Sequence, residues 1–209
     1  ADAWLDADSS TLMLGGTALM PRRDLPLLGK HNVANALAAA LAVSVADEAF
    51  SDADARGRIA EALRNFQPLR HRLELLGESR GVQWINDSKA TNVGATLVAL
   101  EAMERPTVLL LGGRHKGEPY APLAAEIRRT VKRVIAYGEA APLIAAELGA
   151  VTEVHRAGDS FDEAIALAGK SAERGDAVLL SPACSSYDMF TSYEERGDRF
   201  RELVAGMNR

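Results

Sequence analysis

Cysteine is almost missing. Cys184 is the one thiol in 209 residues, which rules out a disulfide framework and a zinc cluster built from several thiolates. A reducing cytoplasm suits such a chain. Aromatic residues are scarce too, at 5% against 47% hydrophobic residues overall. A core must therefore be packed from Ala, Leu and Val, as in helices layered on parallel strands. No apolar run approaches the ~20 residues of a membrane helix. The N-terminus, Ala1-Asp2-Ala3-Trp4-Leu5-Asp6, lacks the basic start and apolar stretch of a signal peptide. Positive charge is in deficit, with 24 Lys and Arg against 29 Asp and Glu and a formal net charge of -5. Neither a nucleic-acid surface nor an anionic-membrane surface is indicated, and any anion site must be a local basic cluster. An initiator Met is absent and the chain starts mid-pattern, as a piece of something longer would. No Walker phosphate loop occurs. Gly29-Lys30 is followed by His31 where Ser or Thr would meet magnesium, and the loop's earlier glycine is missing.

What is present falls into two parts. Residues 1 to 28 read as short strands and turns, with Gly15-Gly16 as a hairpin turn between apolar runs. An Ala-rich helix is expected over Ala36 to Ala46 and another over Ser51 to Phe66, where Ile59, Leu63 and Phe66 recur at helical spacing. Gln67-Pro68 breaks that helix, which places a domain boundary between residues 1–67 and 68–209. Leu69-Arg70-His71-Arg72-Leu73-Glu74-Leu75 then reads as an extended basic stretch. Beyond it, apolar runs at Val82–Ile85, Thr107–Leu111, Arg133–Tyr137, Val151–Val154 and Ala177–Leu180 alternate with helical stretches. Those helices lie near Thr96–Met103, Pro122–Val131, Ala140–Leu148, Phe161–Ala172 and Glu194–Ala205. Strand then helix, repeated, predicts an α/β domain with a parallel-rich sheet and helices on both faces. Val108-Leu109-Leu110-Leu111 has the near-continuous apolarity of a strand buried on both sides.

In such a sheet ligands bind beyond the carboxyl ends of the strands. Chemistry is densest in the turn Asn86-Asp87-Ser88-Lys89-Ala90-Thr91-Asn92. Asp87 can take a ribose hydroxyl or an amine, Lys89 carries a point charge for phosphate or carboxylate, and Thr91 and Asn92 can cap a helix or reach a ligand. Gly112-Gly113-Arg114-His115-Lys116-Gly117 follows another strand; its glycines would let the backbone approach a ligand, and Lys116 adds a second cation. Ser181-Pro182-Ala183-Cys184-Ser185-Ser186-Tyr187-Asp188 follows a third, with hydroxyls and amides that suit a carboxylate. Taken singly, each loop is ordinary. Together they describe a basic, hydroxyl-lined crevice for a small dianion such as a dicarboxylate amino acid. Earlier in the chain, Asn32 and Asn35 share one face of a first helical turn. They read either as a cap and a solvated amide or as donors and acceptors for the edge of a base such as adenine. Cys184 reads as a small buried residue, and His155 as structural or solvated.

These strings resemble a known family. Gly29-Lys30-His31-Asn32-Val33-Ala34-Asn35, the Asn86–Asn92 string, Leu110-Leu111-Gly112-Gly113 with Lys116, and Leu180–Ser186 with Glu195-Arg196-Gly197-Asp198-Arg199-Phe200 are similar to the Mur ligases, over essentially the whole chain. Asp-Ser-Lys-Ala-Thr-Asn marks the glutamate-adding members; their sisters carry an Asp-Tyr-x-His type of motif there. The resemblance implies a Rossmann-like C-terminal domain preceded by the end of a central ATPase domain. It also implies an enzyme, monomeric when full length, that adds D-glutamate to UDP-N-acetylmuramoyl-L-alanine through an acyl phosphate. ATP would be co-substrate, with Mg2+ held upstream and no metal ligand here, so the fragment alone would be inactive. Carried over by position, Lys89 and His71 would be catalytic, and Asn32, Asn35, Arg72 and Asp87 would face the nucleotide. Lys89, Thr91, Lys116, Ser186, Tyr187 and Tyr193 would hold glutamate. The chain departs from the family's usual Leu-Pro-His-Arg at Leu69-Arg70-His71-Arg72, and around Arg114-His115-Lys116. An L-glutamate-adding relative, a folylpolyglutamate-type ligase and a stand-alone binding module are the alternatives.

Overall fold

The computed structural model describes residues 2–207. The chain divides into two compact units, Ala1–Pro68 and Leu69–Arg209.

In the first unit β1 (Ala3–Asp6), β2 (Thr11–Leu14) and β3 (Thr17–Pro21) form an antiparallel sheet in the order β1-β2-β3. Gly15 and Gly16 turn β2 into β3 with φ of 58° and 79°, the left-handed pair that a tight hairpin requires. Alternation along β2 sends Leu12 and Leu14 inward, where they meet Val33, Ala36 and Ala40 of α1 (Lys30–Ala46) and Ala60 of α2 (Ala53–Arg64). Helix α1 opens at Lys30, not Ala36, because Gly29, with φ 84°, takes the cap position without a side-chain bond. Asn32 is no cap either; its amide reaches back to Leu28 O at 2.8 Å. Helix α2 starts where Asp52 Oδ1 accepts from Ala55 N. It ends at Arg64, so Phe66 lies beyond it and is 48% exposed.

The second unit is a six-stranded sheet in the order β4-β5-β9-β6-β7-β8. Its strands are β4 (Glu74–Ser79), β5 (Val82–Asn86), β6 (Thr107–Gly112), β7 (Val131–Tyr137), β8 (Val154–Arg156) and β9 (Ala177–Leu180). Only the β4–β5 pairing is antiparallel among the described pairings. The helices are α3 (Val93–Glu101), α4 (Ala124–Thr130), α5 (Ala141–Leu148), α6 (Phe161–Ser171) and α7 (Tyr193–Gly206). From β5 through β8 each connection steps the same way across the sheet, and right-handed crossovers put α3, α4 and α5 on one face. The step back from β8 to β9 puts α6 on the other. Trp84, Val108, Leu110, Tyr137, Val178 and Leu180 pack there on Phe161, Ile165 and Ala168 of α6 and on Phe200 and Val204 of α7. Val108 through Leu111 are fully buried on both faces, and each side chain contributes roughly 1.5–3 kcal/mol by leaving water.

Two expectations need correction. The basic stretch before β4 is a turn, not extended chain: His71 and Leu73 have φ of 62° and 44°. The edge strand expected at Val151–Val154 lies at Val154–Arg156 instead. His155 is not solitary there, since its Nε2 meets Glu153 Oε1 at 2.6 Å.

A candidate ligand site at three neighbouring strand ends

β5, β9 and β6 are adjacent, parallel and in register, so the loops that leave their carboxyl ends start side by side. This is where the chain reverses its direction of travel across the sheet, the switch point at which open α/β sheets hold ligands.

The loop after β5 is built inward by Asp87 and outward by Lys89. Asp87 is 5% exposed; its Oδ1 accepts from Leu73 N at 3.1 Å and its Oδ2 from Ser181 Oγ at 2.8 Å. Burial raises its pKa to about 7, against the hydrogen bonds from Ser181 and Leu73 and the charge of Arg72, which lower it. The carboxylate expected to face a ribose is thus engaged with its own chain, while Arg72 is exposed. Lys89 points the other way. It is exposed, sits 5.6 Å from the Tyr193 ring centroid, and joins no salt bridge among the described residues. Thr91 is half-buried beside it, and Asn92 Oδ1 caps α3 by accepting from Ala95 N. Glu118 Oε2, from the next loop, accepts from Val93 N, so the helix start is already occupied.

His71 is 3% exposed. The Asn86 amide donates to its Nδ1 at 3.0 Å, which puts the ring proton on Nε2, the atom 3.7 Å from Asp198 Oδ1. Burial lowers its pKa. The ring lies edge-on to Tyr193 at 6.2 Å and over Gly197, where any Cβ would overlap the imidazole.

The glycines after β6 do different work from that expected. A Cβ on Gly112 would overlap Tyr137 O, and one on Gly113 would overlap Ser185 O. Their bare backbones admit the neighbouring loops, not a ligand. Arg114 and Ser185 exchange N–H···O bonds of 2.9 and 3.1 Å, which laces the second loop to the third. His115 Nδ1 and Cys184 Sγ each lie within 3.1 Å of the buried Tyr120 hydroxyl. Burial pushes the Cys184 thiol up to about 11, so it is a packing group and not a nucleophile. Lys116 stays exposed and in no salt bridge among the described residues. In the third loop Ser186 is 2% exposed while Tyr187 is 64% exposed.

The structure therefore sets Lys89, Thr91, Lys116, Ser186, Tyr187 and Tyr193 on adjacent strand ends or on the helix start behind them. Asn32, half-buried, and Asn35, exposed, belong to the other unit; the Asn35 amide lies 3.4 Å from Asn32 Oδ1. Sequence reasoning gave no separate role to Arg196, which is fully buried. It donates from Nε to Ser88 Oγ at 3.0 Å, from Nη2 to Ser88 O at 2.9 Å, and from both Nη atoms to Cys184 O at 3.2 Å. Its only sequence signal was the Glu195–Phe200 string, which entered as part of the family resemblance.

The profile of the Mur ligase, glutamate ligase domain, matches residues 71–184. The UDP-N-acetylmuramoylalanine–D-glutamate ligase of Salinibacter ruber is 46% identical over 187 residues, 90% of this chain and 39% of that protein. The enzyme of the same name from Hahella chejuensis is 41% identical over 207 residues, 97% of this chain and 45% of that protein. The chain thus spans about two fifths of the length of the curated relatives it matches. Among solved structures, the UDP-N-acetylmuramate-alanine ligase MurC of Thermotoga maritima superposes with a TM-score of 0.62 at 17% identity, covering 94% of this chain and 42% of its own. Mycobacterium tuberculosis folylpolyglutamate synthase complexed with ADP gives 0.60 at 16% identity, covering 84% and 41%. Those two likenesses show the fold.

Proposed function

The chain belongs to the Mur ligases, and from that premise we propose that it is the amino-acid-binding portion of an ATP-dependent ligase joining D-glutamate to UDP-N-acetylmuramoyl-L-alanine in peptidoglycan synthesis. The observation that carries this reading is a pair of exposed ammonium groups, Lys89 and Lys116, on strand ends flanking the strand that leads to Ser186, with no salt-bridge partner for either among the described residues. A dicarboxylate is the ligand such a pair favours.

In this reading ATP phosphorylates the alanyl carboxylate, giving ADP and an acyl phosphate. The glutamate amine attacks the acyl carbon; the tetrahedral intermediate collapses, breaks the C–O bond to phosphate and loses the amine proton, leaving an amide. Three anionic partners must be gathered, so positioning and cations do most of the work. Lys116 and Ser186 hold glutamate carboxylates, with Thr91, Tyr187 and the Tyr193 ring shaping the pocket. Lys89 screens the charge that develops on the intermediate. Arg72 faces the nucleotide. Asp87 and His71 serve it from behind, by fixing the turn that presents Arg72 and Lys89. Among the described residues no group of three His, Cys, Asp or Glu side chains could hold a metal ion. Among the described residues no helix is long and apolar enough to cross a membrane.

The test uses the full-length protein with UDP-N-acetylmuramoyl-L-alanine, ATP and magnesium. Phosphate release is expected to need D-glutamate. Dependence on L-glutamate instead would make it the L-adding relative, and indifference to both amino acids would remove the reading.

A further inference from the structure

The Arg196 guanidinium joins no salt bridge among the described residues although it is fully buried. Burying a charge is costly unless it is hydrogen-bonded, and here its acceptors are neutral oxygens of loops that leave two different strands. The positions of those acceptors matter more than their number. Ser88 O belongs to the peptide whose other end is Lys89 N, and Lys89 N donates to His71 O at 3.0 Å. That peptide plane, which launches the Lys89 side chain, is held at both edges. Cys184 O belongs to the peptide whose other end is Ser185 N, and Ser185 N donates to Arg114 O at 3.1 Å. That plane, one residue before Ser186, is also held at both edges. Ser88 Oγ, which accepts from Arg196 Nε, passes the link to Tyr193 O at 2.8 Å. The second loop closes on the same group: a Cβ on Gly113 would meet Arg196 Nη1 at 3.2 Å. The Arg196 charge also opposes the rise that burial gives the pKa of the Tyr137 hydroxyl.

We propose that Arg196 is a positioning residue for the amino-acid substrate: one buried guanidinium sets the spacing of Lys89, Ser186 and the Gly113 loop. It never touches substrate. The proposal rests on the ligase reading given above. It predicts a loss of amino-acid affinity distinct from a general loss of folded protein, because the turn that carries the nucleotide-facing Arg72 is also held by bonds that do not involve Arg196: His71 N to Glu74 Oε2 at 3.0 Å and Leu73 N to Asp87 Oδ1 at 3.1 Å.

Steady-state kinetics on the full-length enzyme test it with Arg196→Lys, Arg196→Met and Ser88→Ala. Lysine keeps the charge but loses the fork, so both Arg196 variants are expected to raise KM for glutamate about tenfold or more, with KM for ATP within about threefold of wild type. Ser88→Ala keeps the guanidinium and both carbonyls and tests the clamp if the Arg196 variants fold poorly; it is expected to raise KM for glutamate about threefold to fivefold. Backbone amide exchange at Lys89 and Ser185 is expected to speed up in every variant, with or without substrate. A fall in kcat or stability with KM for glutamate unchanged would overturn the positioning role, and so would unchanged exchange at both amides. If wild type shows no glutamate-dependent turnover while the variants still loosen both amides, the ligase reading falls and the clamp stands.

Discussion

The two edges of the six-stranded sheet treat charge in opposite ways. At the amino ends of the strands several cations are closed off, although Arg80 and Arg174 join no salt bridge among the described residues. Lys132 Nζ lies 2.9 Å from both Glu173 and Asp176, Arg133 meets Glu153, and Arg105 meets Glu78 at 3.1 Å. At the carboxyl ends Arg114 is paired with Glu139, yet Lys89, Lys116 and Arg196 have no carboxylate partner among the described residues. One backbone carries both edges, so the difference lies in which loops receive acids. A cation that is neutralised by its own chain, as Lys132 is, is committed to the fold before a ligand arrives. An edge that leaves cations unmatched keeps its charge for something that arrives, at a cost in self-repulsion that the structural edge avoids.

The sharpest way to break this contrast is to remove a charge from the open edge. Lys89→Ala in the full-length enzyme is expected to lower kcat by about 10²–10³-fold, roughly 3–4 kcal/mol of transition-state stabilisation, with little change in thermal unfolding. Near-normal turnover would end the role given to Lys89.

A second effect concerns pH. Asp87, raised by burial to about 7 from the 3.8 of a free aspartate, lets the folded protein hold a proton the unfolded chain has already lost. Stability attributable to Asp87 is therefore present below about pH 4, falls as pH rises toward 7, and is flat above that. The loss is of order 4 kcal/mol. His71 works against it: its lowered pKa makes the unfolded chain bind the extra proton, so its contribution is lost as pH falls below 6.5. The comparison with Asp87→Asn isolates the first effect. The variant's unfolding midpoint should lack the decline between pH 4 and 7, and an unchanged decline would assign it to other groups.

Much of this was legible from residues, and the failures are physical. Val108–Leu111 and Val178–Leu180 declared themselves because a strand covered on both faces must be apolar throughout. β8 was misplaced because it is an edge strand whose His155 and Arg156 tolerate water, so the apolar Val151 drew the assignment upstream. β4 lacked a clean alternation, since its register shifts between Leu75 and Gly77, where φ is 127°. In the site, Lys89, Lys116 and Ser186 could be placed on strand ends from the strand–loop–helix rhythm alone. The inward commitment of Asp87 could not, because its partners Leu73 and Ser181 are distant in sequence. Arg196 was hidden for the opposite reason: it stands in the charged run Glu194-Glu195-Arg196-Gly197-Asp198-Arg199, where Glu194 and Glu195 are exposed and only Arg196 and Gly197 are buried. Only the fold shows that its turn of α7 faces Ser88 and Cys184.

A third substitution sharpens the contrast further. Lys116→Ala should raise KM for glutamate about tenfold, near 1.4 kcal/mol, while leaving KM for ATP and the unfolding midpoint in place. An effect confined to ATP would move Lys116 to the nucleotide.

The smallest expected change belongs to the closed edge, and it is the control that gives the others meaning. Glu173 is 79% exposed at its side chain, so its bond to Lys132 runs through water and is worth roughly 0.5 kcal/mol or less. Asp176 is the buried partner, 6% exposed, and it also accepts from Glu173 N at 2.8 Å. Glu173→Ala leaves that backbone bond and the second ion pair of Lys132 intact. Stability should therefore shift by less than about 0.5 kcal/mol, with both KM values unchanged, whereas Asp176→Ala should cost about 1–3 kcal/mol, again with no kinetic signature. If Glu173→Ala altered KM for glutamate, charge at the amino ends would be felt across the full length of the strands, and the division of labour between the two edges would fail.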